Sequence, residues 1–207
     1  MFRVLCLVIG YACGMLLAAP LIVKRKTGKD IFSIGSGNPG MANTMRECDF
    51  AAGIQVLVID LLKTGLPCLL ARFILFPDYG AAAALWTGLG AVLGHNYPAW
   101  HSFHGGKGVA ATCAMLFCAH PLMGTGAMLA GMVITFLTKY LSVGALFIPA
   151  AFIPAAWHLA GPEGAVLTAV LTAVMLQRHL EDLKRIRKGT EKQVDVQALL
   201  RKKLKKK

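Results

Sequence analysis

Acidic residues are scarce: 10 Asp and Glu stand against 22 Lys and Arg in 207 residues, a formal net charge of +12. Charge of either sign is thin, at 15%, while 56% of the chain is hydrophobic and the mean hydropathy is +0.60. That balance excludes an ordinary water-soluble domain and points to an integral membrane protein. The cysteines Cys6, Cys13, Cys48, Cys68, Cys113 and Cys118 lack paired metal-ligand spacing and sit mostly in apolar surroundings. They read as buried thiols, with neither a disulfide framework nor a zinc site implied. His95, His101 and His104 have no acidic or cysteine partners at supporting spacing, so no metal is expected. The basic residues lack aromatic interleaving and gather after the first apolar run and from Arg178 onward. They suit cytoplasmic loops facing anionic lipid, so membrane lipids and no nucleic acid are the expected partners.

What the chain does have is a series of apolar runs. Residues 1–23 are long enough to cross a hydrocarbon core of about 30 Å. The run stops at Lys24-Arg25-Lys26, as a membrane span does and a processing site does not. The positive-inside bias then puts Lys24, Arg25, Lys26 and Lys29 in the cytoplasm and the amino terminus outside. Residues 50–76 cross outward carrying Asp60 and Lys63, three apart on one helix face, which either pair with each other or face a polar interior. After an outer turn at Pro77-Asp78-Tyr79-Gly80, residues 81–93 return. Residues 109–119 are short and broken by His120-Pro121; residues 122–138, 141–159 and 165–176 follow.

The expected architecture is therefore an all-α integral membrane protein with about seven transmembrane helices, or five if the segments around His120-Pro121 are re-entrant. Either count leaves the carboxyl terminus in the cytoplasm. Gly10 with Gly14, and Gly90 with Gly94, have the Gly-x-x-x-Gly spacing of close helix approach. Residues 1–207 read as a single membrane-embedded domain, with a basic tail at about 192–207 whose lysines Lys202, Lys203 and Lys205 to Lys207 suit anionic headgroups.

Three polar segments then fall on the cytoplasmic face. Residues 94–108 end in Gly105-Gly106-Lys107-Gly108, where glycine amides converging beside a lysine form a candidate phosphate cradle. The spacing is not that of a nucleotide P-loop, and a flexible connection is the competing reading. Residues 35–46 supply Gly35, Ser36, Gly37, Asn38, Asn43 and Arg46, either a turn-rich connector or a set of donors with a guanidinium clamp. His179 and Asp182 share a helix face at the membrane boundary. An enzyme acting on a small anion and an apolar partner needs that set. An anion channel or transporter is the alternative, but no convincing inverted repeat is found.

These residues also carry a resemblance. Gly35-Ser36-Gly37-Asn38 with Gly40, Asn43 and Arg46; Gly94-His95 with Pro98 and Gly105-Gly106-Lys107-Gly108-Val109; and His179 with Arg185, Gly189 and Glu191 resemble the three motifs of the bacterial PlsY-type membrane glycerol-3-phosphate acyltransferases. Asp60 and Lys63 resemble a further paired position. The resemblance implies a small protein of the bacterial inner membrane with its active site on the cytoplasmic face. It implies acyl transfer from acyl phosphate to the sn-1 hydroxyl of glycerol 3-phosphate, giving lysophosphatidic acid and phosphate without a metal or other cofactor. On it rest the catalytic roles of His179, Lys107 and Ser36, and substrate binding by Gly35, Ser36, Gly37, Asn38, Asn43, Arg46, His95, Gly105, Gly106, Lys107, Gly108, His179 and Asp182. Met41, Ala42, His104 and Asp182 depart from the family pattern, the last standing where Asn is usual. Asp182 either orients the His179 imidazole or is neutralised by Lys184 or Arg185. The His-x4-Asp of thioester-dependent acyltransferases is missing: Trp100 follows His95, and Lys184 follows His179, at that spacing.

Overall fold

Apolar runs in a membrane must satisfy their backbone polar groups internally, and helices do so within one segment. In the computed structural model, which describes residues 1–194, the runs are helical and no strand occurs among the described residues. The helices are α1 (Phe2–Gly14), α2 (Ala18–Thr27), α3 (Met41–Glu47), α4 (Phe50–Leu70), α5 (Gly80–Asn96), α6 (Val109–Ala119), α7 (Pro121–Thr138) and α8 (Leu141–Arg187). The chain is a multi-pass membrane protein: the segments Phe2–Thr27, Phe50–Leu75, Pro121–Thr138 and Leu141–Arg187 are each long and apolar enough to cross. At 47 residues, α8 is too long for one crossing, and it breaks at Ala160 and Gly161, where φ and ψ leave the helical region. Its two arms correspond to the expected segments 141–159 and 165–176. The basic tail from 195 onward lies outside the described residues.

Helix α5 is the centre, and small residues put it there. An added Cβ at Gly10 would lie 1.9 Å from the Thr87 carbonyl oxygen, at Gly14 2.1 Å from Ala91 O, at Gly90 2.2 Å from Leu7 O and at Gly94 2.2 Å from Tyr11 O. Both Gly-x-x-x-Gly pairs are thus consumed in one α1–α5 contact. On its other faces α5 buries Leu85, Leu89 and Val92 against Met115 and Leu116 of α6 and Phe152 and Leu171 of α8.

Helix α6 is short, 11 residues with a rise of about 16 Å. Its last carbonyls are not abandoned: Arg72 Nη1 donates to Cys118 O at 2.5 Å and Ala119 O at 2.6 Å. His120 Nδ1 then accepts from the Met123 amide and starts α7.

The long first run is of span length, Phe2–Thr27, but it is not one uninterrupted helix. It breaks between α1 and α2, at Met15 to Leu17. Pro20 has no N–H to give the carbonyl four residues back, so Leu16 O is left for another donor.

Arg3 and the Trp86 indole both bond Glu163, at 2.6 and 2.5 Å, tying α1, α5 and the bend of α8 together at one end of the molecule. Asp182 lies nineteen residues further along α8, about 28 Å away at the helical rise. Near that opposite end Asp49 caps α4 through the Ala52 amide and pairs with Lys26 at 2.5 Å. The Lys26 ammonium, and then the Ala52 amide, hold its carboxyl below the usual carboxylate range.

Candidate functional site

The connection from α5 to α6 is bound tightly to the end of α5. Arg178 donates through Nε to Gly106 O at 3.0 Å and through Nη2 to Gly105 O at 2.7 Å, with its guanidinium 5.3 Å from the Tyr97 ring centroid. The Gly106 amide donates back to His95 O at 3.0 Å. An added Cβ at Gly105 would lie 2.1 Å from His95 O, and one at Gly106 2.1 Å from His95 Nε2. Gly108 has φ +77°, and its Cβ would fall 2.8 Å from Asn96 Oδ1. Glycine is therefore required here by contact with the end of α5. The cradle expectation is corrected at one atom: the Gly106 N–H is engaged with His95.

Beneath this loop lies a buried polar cluster. Lys63 Nζ donates to Leu16 O at 2.8 Å, lies 2.8 Å from His95 Nδ1, and is 2.8 Å from Asp60 Oδ1 in an ion pair whose geometry is not that of a hydrogen bond. All three side chains are at most 5% exposed. The expected Asp60–Lys63 pairing is found, and His95 is joined to it. A buried charge without a partner is strongly destabilising, which accounts for the pairing but not for the third member.

The α8 segment contributes His179, Asp182 and Arg185. His179 Nδ1 sits 2.8 Å from Met175 O. A carbonyl only accepts, so Nδ1 carries the proton and neutral His179 keeps its lone pair on Nε2. The buried Asp182 carboxylate pairs with Lys107 on one oxygen and Arg185 on the other, while Arg185 also reaches Glu191 at 2.6 Å. The reading in which Asp182 orients the His179 imidazole is overturned, because the backbone of Met175 does so. Neutralisation by Arg185 is what occurs, and Lys184 instead pairs with Glu181 at 2.6 Å.

In the first polar loop, Asn43 is buried and pins the backbone: Oδ1 accepts from Ser36 N at 3.0 Å and Nδ2 donates to Ile34 O at 3.1 Å. Gly35 and Gly37 take φ +59° and +68° to make the turn, and Asn38 O accepts from the Gly40 amide at 2.9 Å. Ser36 and Arg46 are exposed, and neither side chain has a hydrogen bond among the described residues. An open cleft of about 560 Å³ joins this loop to the others, lined by Phe32, Gly37, Trp100, His104, Gly105 and Arg178. Lys107, His179 and Asp182 are not in its lining. No group of three or more His, Cys, Asp or Glu side chains placed to hold a metal is found among the described residues.

Arg178 and Tyr97 were not anticipated from the sequence. The one available signal was Arg178 beside His179 at the end of a span, a position that also suits a lipid headgroup.

The sequence model of one family, described as Glycerol-3-phosphate acyltransferase, matches residues 4–189. A glycerol-3-phosphate acyltransferase of Methylorubrum populi is 36% identical over 185 residues, 89% of each chain. The crystal structure of PlsY, an integral membrane glycerol 3-phosphate acyltransferase, in its glycerol 3-phosphate form superposes with a TM-score of 0.84 at 27% identity, covering 96% of this chain and 98% of that one. The lysophosphatidic acid form of PlsY gives a TM-score of 0.82 at 26% identity, with the same coverage.

Proposed function

Since the chain belongs to the glycerol-3-phosphate acyltransferase family, we propose that it transfers a fatty acyl group from acyl phosphate to the sn-1 hydroxyl of glycerol 3-phosphate at the cytoplasmic face of a bacterial inner membrane. The observation that carries this reading is the gathering of Lys107, Arg178, His179 and Arg185 around one glycine loop, at the end of the bundle that also holds the Ser36 and Arg46 loop.

Acyl phosphate is already an activated mixed anhydride, so positioning and charge stabilisation suffice and no covalent acyl-enzyme is needed. The substrate hydroxyl oxygen bonds to the acyl carbon, the bond from that carbon to the phosphate oxygen breaks, and inorganic phosphate leaves with the electron pair. The hydroxyl proton goes to His179 Nε2, the nitrogen that the Met175 contact leaves as an acceptor. Lys107 exchanges Asp182 for a phosphate oxygen, with Arg185 still neutralising the carboxylate. Ser36, Gly37, Asn38 and Arg46 hold glycerol 3-phosphate. Asn43 and Gly35 act on it through the loop they shape. In the topology that goes with this reading, the first run, α4, α5, α6, α7 and the two arms of α8 make seven crossings, the amino terminus is outside, and the whole chain is one membrane-embedded domain.

The test is direct. Purified protein in detergent receives glycerol 3-phosphate with acyl phosphate or with acyl-CoA, and lysophosphatidic acid and free phosphate are measured. Equal yields of the two products from acyl phosphate are expected; product from acyl-CoA alone refutes the donor, and none from either refutes the function.

A further inference from the structure

Lysine is a donor only, so its approach to an imidazole nitrogen carries information about where the ring proton lies. Lys63 Nζ lies 2.8 Å from each of three atoms, Leu16 O, His95 Nδ1 and Asp60 Oδ1, while His95 Nδ1 is 3.6 Å from Asp60 Oδ1, beyond hydrogen-bond distance. Its ion pair with the buried Asp60 carboxylate makes Nζ an ammonium, with three protons and no lone pair to accept with. His95 Nδ1 must then accept, and the ring carries its proton on Nε2. An imidazolium is excluded by the same contact, because its Nδ1–H would point at the ammonium. The Nε2 edge abuts the glycine loop, close enough that a methyl on Gly106 would touch it, and Gly105 of that loop lines the cleft.

We propose that Lys63, held by Asp60 and by the Leu16 carbonyl that Pro20 leaves open, is a positioning residue that locks His95 as an Nε2–H donor beneath the glycine loop. His95 therefore gives a hydrogen bond to an oxygen of the acyl donor and does not serve as a base. His179 is its opposite: its Nδ1 faces a carbonyl, so its Nε2 is the acceptor. Two buried histidines at one site thus hold opposite tautomers, one set by a lysine and one by a backbone carbonyl. The role of His95 in the reaction rests on the acyltransferase reading above; its tautomer does not.

The experiment separates the two. Protein labelled with 15N-histidine in detergent gives imidazole nitrogen spectra, with the His95 signals assigned from their loss in His95→Gln. The wild type is expected to show the Nε2–H pattern for His95, and an Nδ1–H pattern overturns the proposal whatever the activity. Lys63→Met alone strands a buried carboxylate, so the informative variant is Asp60→Asn with Lys63→Met, which removes both charges. A mere structural ion pair predicts that this double variant regains wild-type turnover. The proposal predicts that the Nε2–H pattern is lost and that kcat falls by roughly 10²-fold, the scale of one misplaced preorganised donor. Wild-type turnover, or an unchanged tautomer, in the folded double variant overturns it. A wild type inactive with either donor but showing the Nε2–H pattern would sink the acyltransferase reading and leave the tautomer assignment standing.

Discussion

Replacing Gly106 by alanine puts a methyl carbon 2.1 Å from His95 Nε2, 2.8 Å from Cδ2 and 3.0 Å from Cε1. All three atoms belong to one ring, so no single-atom adjustment relieves the clash, and the imidazole must shift as a plate. It has little room, because Nδ1 is held by Lys63 at 2.8 Å and the side chain is buried. Moving the loop instead breaks the bonds from Arg178 to Gly105 O and Gly106 O. Overpacking of this kind costs about 1–3 kcal/mol. At roughly 2–4 °C per kcal/mol for a chain of this size, the unfolding midpoint falls by about 2–12 °C. The control is Gly126→Ala in α7, where an added Cβ meets nothing within 4 Å. There the same substitution removes only backbone freedom and gains up to about 1 kcal/mol of helix stability. Scanning fluorimetry on detergent-purified protein, paired with turnover measurement, reads both. If Gly106→Ala melts and turns over like the wild type, the loop does not lie against His95 as described and the packing argument fails.

Further outcomes are expected. Lys107→Ala should keep its fold, since Arg185 still neutralises Asp182, yet lower turnover by roughly 10²-fold, the scale of one preorganised electrostatic contact; near-normal activity in the folded variant would remove Lys107 from the mechanism. Asp182→Asn frees Lys107 and Arg185 from a competing carboxylate, so the KM for glycerol 3-phosphate should fall, and a rise would mean that the carboxylate organises the site. In a variant lacking the native cysteines, a cysteine at Lys26, Ser102 or Lys192 should be shielded from an impermeant thiol reagent in intact cells while one at Tyr79 reacts. Labelling of any of the first three would break the one-face topology.

How far the sequence speaks depends on the range of the interaction. Helix positions and the α1–α5 seam follow from local pattern, because Gly10, Gly14, Gly90 and Gly94 advertise close approach by their spacing alone. The Asp60–Lys63 pair was legible for the same reason, being three residues apart on one helix. What joins them to His95 was not, because it depends on where α1 stops. Pro20 marked that break, but the continuous apolar composition of residues 1–23 concealed it. Arg178 was equally hidden: its partners are two backbone carbonyls more than seventy residues away, and carbonyls have no sequence signature.

Asp182 shows where a motif and its geometry part. Spacing puts it one turn from His179, and proximity suggests a carboxylate steering an imidazole. Yet the Met175 carbonyl, four residues before His179 on the same helix, already accepts the hydrogen bond from Nδ1–H, and two cations hold the carboxylate. In a buried site a charge goes to opposite charge before it goes to a neutral ring, because the cost of leaving either ion unpaired exceeds one neutral hydrogen bond. Asp182 therefore acts on Lys107 and Arg185. Under the proposed reaction it is a built-in anion on the lysine that is to hold a phosphate, so that binding of the substrate phosphate and release of Asp182 would be one exchange.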